Sequence, residues 1–238
     1  MTILHEDAHL LIVEKPSGML TIPDRFGNKD SLVAALEQRY GRVFVVHRLD
    51  RETSGLLCFA RDEASHRHLS MQFEHHTADK YYHALLDGVM HHEEGEINKP
   101  IGEHPTIPGK MTVASWGKPS LTFYRVIERF QHFTLAEALI KTGRTHQIRV
   151  HFQHIGYPLA VDALYGRREA FYLSEIKGKK YKSGKFSEGE KPLMARSSLH
   201  ASRLRIDHPV SGERMEFRCE LPKDFSAVLK QLRKWDLP

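Results

Sequence analysis

The sequence predicts an α+β fold, and two observations carry that prediction. Segments of helical period and short β-like runs are mixed along the chain instead of alternating as βαβ units, and the stretch from Tyr81 to Ile140 is dominated by β-like runs broken by Gly and Pro. Residues 3 to 14 read as two short strands around the turn Glu6-Asp7-Ala8-His9, and Lys15-Pro16-Ser17-Gly18 reads as a strand terminator. From Ser31 to Tyr40, Leu32, Leu36 and Tyr40 recur at helical spacing behind a cap at Asp30 or Ser31. The apolar runs Val43-Phe44-Val45-Val46 and Leu56-Leu57-Cys58-Phe59-Ala60 suggest two buried strands. The polar segment joining them is therefore expected to be a fixed loop over a core. Asp62 caps a second helix to about His75, with Leu69 and Phe73 on one face.

The β-like runs of the middle are 81 to 89, 120 to 129 and 132 to 141. Residues 145 to 155 return to helical period, with Ile148, Phe152 and Ile155 as an apolar stripe and Arg149 and Gln153 beside it. Strands near 199 to 206 and 213 to 219 precede a helix in which Phe225, Val228, Leu229 and Leu232 follow i, i+3, i+4, i+7. No repeat is visible and no linker forces a boundary, so a single domain over residues 1–238 is expected. Residues 166–192 stand apart. Lys177, Lys179, Lys180, Lys182 and Lys185 lie there among Gly and Ser, which predicts an exposed, mobile basic loop, either a solvated charge run or a contact for phosphates.

With 238 residues the chain can bury a sizeable core, and its 40% hydrophobic content is that of an ordinary soluble protein. No apolar stretch reaches the ~18 residues of a membrane helix, and the N-terminus lacks the pattern of a signal peptide, so the cytoplasm is expected. Cys58 and Cys219 each lie in a predicted strand as small hydrophobes, which implies no disulfide and no redox chemistry. A net charge of +5 allows a polyanionic partner without demanding one.

The histidines raise the question of metals. His66-x-His68, His75-His76, His91-His92-Glu93-Glu94 and His151-x-x-His154 lack the spacing that places ligands on one side of an ion, so no metal is expected. Ser54 lacks the G-x-S-x-G elbow and reads as a turn residue bonded to backbone. No phosphate-binding glycine string occurs, and no cofactor is implied. What remains is Asp50 between Arg48 and Arg51, with two polar clusters that could converge on it: Lys80-Tyr81-Tyr82 and Thr142 to Arg149. Arg149, near a helix start, could pair with Asp50 and keep it ionised for work as nucleophile or base. From residue types alone, such a pair is more often structural.

At these residues the sequence resembles the RluA family of RNA pseudouridine synthases. His47-Arg48-Leu49-Asp50-Arg51-Glu52-Thr53-Ser54-Gly55-Leu56-Leu57 is similar to the family signature HRLD-x-x-TSG-L. Lys80-x-Tyr82-x-Ala84 with Gly88 and the segment Thr142 to His151 follow in the family's order, with Lys15-Pro16-Ser17-Gly18, Tyr165-Gly166, Leu199-His200-Ala201 and His208-Pro209 as further matches. The resemblance implies a catalytic domain with a mixed, largely antiparallel central sheet flanked by helices, and isomerisation of uridine in RNA to pseudouridine without metal or cofactor. It implies that Asp50 is the essential aspartate, that Tyr82 stacks on the target base, that Arg149 pairs with Asp50, and that Arg48 helps displace the nucleotide. His47, Arg144 and Lys80 are expected to bind substrate beside them. Tyr81 should point to the opposite face of its strand and pack.

One departure is Val161 before Asp162, where family members commonly carry Gly-Asp, so the local turn is expected to differ. No S4-type RNA-binding domain is expected ahead of the first strand. Met19-Leu20-Thr21-Ile22-Pro23-x-Arg25 is similar to the branch that modifies both tRNA and large-subunit rRNA, leaving tRNA, rRNA or both as the partner. A monomer with no protein partner and no membrane contact is expected. The competing reading is a non-catalytic RNA-binding or ribosome-assembly module on the same fold; hydrolysis by paired carboxylates lacks an evident second acid.

Overall fold

The structure, a computed structural model, describes residues 1–24, 30–181 and 189–237. Its elements run β1 (Thr2–Glu6), β2 (Leu10–Lys15), α1 (Leu32–Tyr40), β3 (Phe44–Val45), β4 (Ser54–Ala60), α2 (Glu63–Glu74), β5 (Asp79–Asp87), β6 (Glu94–Asn98), β7 (Ile101–Glu103), β8 (Met111–Val113), β9 (Leu121–Arg129) and β10 (Phe133–Ile140). There follow α3 (Gln147–His154), α4 (Leu173–Lys177), β11 (Leu199–Asp207), β12 (Arg214–Arg218) and α5 (Lys223–Trp235). Strand pairing follows the order β1-β2-β4-β11-β5-β10-β9-β6, with β12 on β11 and β3 on β4, in a mixed and largely antiparallel sheet. The α+β expectation holds.

The chain forms two compact units: Met1–Tyr82 with Leu139–Thr145 and His200–Glu220, and His83–Ala138 with His146–Leu199 and Leu221–Pro238. In the first, β2 pairs antiparallel with β4 from Leu10↔Ala60 to Lys15↔Gly55, and β11 pairs parallel with β4 through His200↔Ser54 and Ala201↔Gly55. Strand β4 is buried along its whole length, as expected of an apolar run. Leu10, Ile12, Leu56, Cys58, Ala60, Leu69, Leu204 and Ile206 make its core. Gly55 is required where it stands: its φ is +117°, and a Cβ there would lie 2.2 Å from the Ala201 carbonyl oxygen. Both expected helices form behind their caps, Ser31 accepting from the Ala34 N–H and Asp62 from the Ser65 N–H.

In the second unit β6 pairs antiparallel with β9, and β7 with β8. Helix α5 buries Phe225, Val228, Leu229 and Leu232, the four positions its period predicts, against Leu85, Phe133, Leu135, Val161 and Phe171. Strands β6, β7 and β8 are too short or too polar for the sequence pattern to have singled them out. The stretch expected as an exposed loop from 166 to 192 begins as packed structure. Phe171 is fully buried and exchanges backbone hydrogen bonds with Leu193 and Met194, and α4 with a short 3-10 turn, Gly178–Lys180, carries Lys177, Lys179 and Lys180. Lys182 and Lys185, like Arg25, lie outside the described residues.

Cys58 is buried in β4 and Cys219 lies just past β12; both are free thiols, and burial pushes the Cys219 thiol up to about 12. Among the described residues no helix is long and apolar enough to cross a membrane.

Candidate active site

The segment from His47 to Thr53 is a loop between β3 and β4, and the residues after β2 hold it by its backbone. The Thr53 N–H donates to the Asp50 carbonyl at 3.1 Å, closing a turn that begins at Asp50. Lys15, fully buried at the end of β2, directs its ammonium at the carbonyls of Pro16 (3.0 Å), Met19 (2.8 Å) and Arg51 (2.9 Å). The Gly18 N–H also donates to the Arg51 carbonyl, at 2.9 Å, and the Ser17 hydroxyl to the Glu52 carbonyl, at 2.8 Å. Thr21 and Leu49 bond reciprocally: the Leu49 N–H donates to Thr21 Oγ1 (3.2 Å), and that hydroxyl donates to the Leu49 carbonyl (3.0 Å). Lys15-Pro16-Ser17-Gly18 thus ends β2, as expected, and is also the clamp of the Asp50 loop. Leu49 is buried while Arg48 is exposed and Asp50 half-buried, so the loop is anchored by its leucine and displays the residues on either side.

Strand β5 brings up the next residues. Lys80, Tyr82 and Ala84 alternate onto its buried face, and Tyr81 points the other way, under the Arg203 guanidinium at 3.7 Å from the ring centroid. Burial, and then the Asp50 charge, pushes the Tyr82 phenol well above its ordinary value, so Tyr82 is a neutral hydroxyl within the electrostatic reach of Asp50. His47 stacks on Phe73 with centroids 4.5 Å apart, and its Nε2 accepts from the Cys58 N–H at 3.2 Å. Burial and the Lys80 charge push His47 down to about 3, leaving a neutral ring. Lys80 places its ammonium 5.3 Å from the Phe73 ring centroid; burial, with the like charges of Lys141 and Arg144, lowers it to about 8. Asp50, Arg48, His47, Lys80, Tyr82 and Arg144 all belong to the first unit.

Arg149 belongs to the second unit, in the first turn of α3. There its guanidinium grips Asp162 bidentately, Nε to Oδ2 at 2.6 Å and Nη2 to Oδ1 at 2.8 Å, and lies 4.9 Å from the Tyr165 ring centroid. Asp162 Oδ1 also accepts from the N–H groups of Leu164 (2.9 Å) and Tyr165 (3.1 Å). Gly166 completes this turn, because a Cβ on it would meet the Asp162 carbonyl oxygen at 2.7 Å.

Two partners of the expected site residues were missed in the sequence, Lys15 and Asp162. Each sits inside or beside a matched motif, and the signal was a charge at the end of an apolar run, Leu10 to Val13 before Lys15 and Leu159 to Val161 before Asp162. Ser54 is a correction. It is the first residue of β4, not a turn residue bonded to backbone: its hydroxyl bonds His200 Nδ1 at 2.9 Å, and His200 Nε2 lies 3.2 Å from Cys219 Sγ. Its partner is 146 positions away in sequence, beyond the reach of a local pattern.

Residues 9–154 match the family model described as RNA pseudouridylate synthase. The chain is 37% identical to an uncharacterized RNA pseudouridine synthase of Bacillus subtilis, over 98% of this chain and 73% of that protein. It is 37% identical to the ribosomal large subunit pseudouridine synthase D of Pseudomonas aeruginosa, over 98% of this chain and 72% of that one. The fold matches the human RNA pseudouridylate synthase domain containing 4 protein with a TM-score of 0.75 at 24% identity, covering 97% of this chain and 92% of that one. The matched segment takes in the clamp, the Asp50 loop, β5 and α3, and the chain belongs to the RluA-type family of RNA pseudouridine synthases, which are isomerases.

Proposed function

We propose that this protein converts specific uridines in structured RNA to pseudouridine, with the Asp50 carboxylate as the essential group and no metal or cofactor. The observation that carries the proposal is the clamped turn that presents Asp50 within electrostatic reach of the buried Tyr82. In the reaction the bond from ribose C1′ to uracil N1 breaks, C1′ bonds to C5, and the proton on C5 is replaced by one on N1. A carboxylate fixed by its backbone can act on sugar or ring with little reorganisation. Tyr82, held protonated, serves as a stacking surface and hydroxyl donor rather than as a ready base. Arg48, exposed beside Asp50, suits displacement of the target base from its stack. His47, Arg144 and Lys80 line the same unit as contacts for the substrate. Arg149, in the second unit, is oriented by Asp162 as a further cation for the substrate.

Large-subunit rRNA is the substrate we favour, because relatives covering nearly all of this chain carry that substrate in their names; a tRNA target is the alternative arm of the test. The two compact units work as one catalytic domain, acting as a monomer in the cytoplasm. Mapping pseudouridines in total RNA from cells with and without the gene should show a missing site that names the uridine. Asp50→Asn should abolish its formation while leaving RNA affinity within about threefold, since phosphate contacts and chemistry are separable. Undiminished turnover in that variant would end the proposal.

A further inference from the structure

We propose that the Lys80 ammonium is a seat for a phosphate group of the substrate RNA, so that the bound RNA, and not the protein, supplies its counter-charge. The inference rests on the reading of this chain as an enzyme of RNA, and adds which group of the substrate Lys80 takes. Among the described residues Lys80 makes no hydrogen bond and no ion pair; its one polar contact is the Phe73 ring. Yet it is only 7% exposed. Its Nζ is not one of the fully buried polar atoms without a partner, so the ammonium reaches the surface at the end of a buried stem, where a group from outside the protein can complete it.

The surroundings say what that something is. The adjacent carboxylate, Asp79, alternates to the other face of β5 and is engaged by Lys141 (2.7 Å) and Arg214 (2.9 Å). Lys141, itself paired with Asp79, and Arg144 add positive charge near Lys80, His47 is a neutral ring, and burial keeps the Cys58 thiol protonated, so no carboxylate bonds the Lys80 ammonium directly. Gly143 gives the opening: it is exposed, and a Cβ there would lie 3.8 Å from Lys80 Nζ, which puts the ammonium beside a bare stretch of backbone at the surface. The ligand this fits is a compact anion with several acceptor oxygens, and in RNA that is the phosphodiester.

A proton linkage follows. The free amine titrates near about 8, and a bound phosphate holds its proton, so RNA binding should be strongest below that value and weaken as the pH rises through it. The sign is set by Lys80 alone if Lys141, Arg144, Asp79, Asp50, His47, Cys58 and Tyr82 do not change charge over the same interval.

The test is binding of a large-subunit rRNA transcript to the Asp50→Asn protein, which binds without turnover, at constant ionic strength and at about pH 7 and about pH 9. The parent should lose about tenfold in affinity between the two. Lys80→Arg should keep the affinity of the lower pH and lose the decline, because arginine stays charged. Lys80→Met should bind about tenfold more weakly at the lower pH, show no decline, and unfold at a temperature no lower than the parent. Inorganic phosphate should compete with RNA for the parent and not for the methionine variant. Equal affinity and the same pH profile in Lys80→Met would overturn the proposal, as would a lowered unfolding temperature, which would mean that the protein itself holds the ammonium. Phosphate that binds at Lys80 without displacing RNA would also overturn it. Failure of the seat leaves pseudouridine formation by the intact enzyme in place; failure of the enzymatic reading removes it in every RNA.

Discussion

Lys15 and Lys80 are both buried lysines of the first unit, and their surroundings differ in kind. Lys15 meets three backbone carbonyls, two on its own side of the clamp and one in the Asp50 loop, so its charge is spent on joining two segments of chain. Lys80 meets an aromatic face and other cations. A cation whose acceptors are built into the fold holds structure; one whose acceptors are missing is held ready for something that arrives. Arg149 resembles Lys15 in one respect, because both carboxylate oxygens of Asp162, in the same unit, accept from its guanidinium.

The comparison breaks first at Arg149 if it is wrong. Asp162→Asn should cost about 3 to 5 kcal/mol of unfolding free energy in a urea titration, because it strips the charge from a buried bidentate pair. A loss below about 1 kcal/mol would remove Arg149 from the class. Lys15→Met should cost about 3 kcal/mol, as carbonyls that shared one donor lose it, and should slow pseudouridine formation at least about a hundredfold through a displaced Asp50 loop. Full activity in a folded Lys15→Met protein would show that the clamp is dispensable.

Lys80 should behave in the opposite sense. Its folded value of about 8 lies below the ordinary 10.5, so the unfolded chain holds the extra proton between those values and stability should rise with pH across that interval. The gain should be about 2 to 3 kcal/mol by denaturant titration and should vanish in Lys80→Met. The smallest effect concerns His47, whose folded value of about 3 is below the ordinary 6.5. Stability should fall as pH drops from 6.5 toward 3, by about 1 kcal/mol because the ring is partly exposed, and His47→Gln should flatten that arm.

What was legible in the sequence was whatever is written in a local period. The stripe of α5, the caps of α1 and α2, the strands on either side of the Asp50 loop and the alternation of Lys80, Tyr81 and Tyr82 on β5 all rest on spacings of two to four residues. Asp50 could be singled out because a carboxylate between arginines, flanked by apolar runs, is a local anomaly. What joins distant segments was not legible. The reach of Lys15 across to Arg51, the grip of Asp162 on Arg149 and the Ser54 to His200 contact depend on how strands come to lie side by side. Strands β7 and β8, three residues each, carry too few alternations to register.

The pairing of Gly55 with Ala201 bears on how the molecule is made. The first unit is assembled from Met1–Tyr82, Leu139–Thr145 and His200–Glu220, and β4 finds β11 only after the residues between them exist. On a ribosome, the side of β4 that will receive β11 must wait without its strand while the intervening residues are synthesised, a high-contact-order step and a slow one. Because β4 begins where the Asp50 loop ends, the loop gains that support only once β11 has been made. An enzyme that alters RNA would then complete its site only after the strand 146 positions beyond Ser54 has been made.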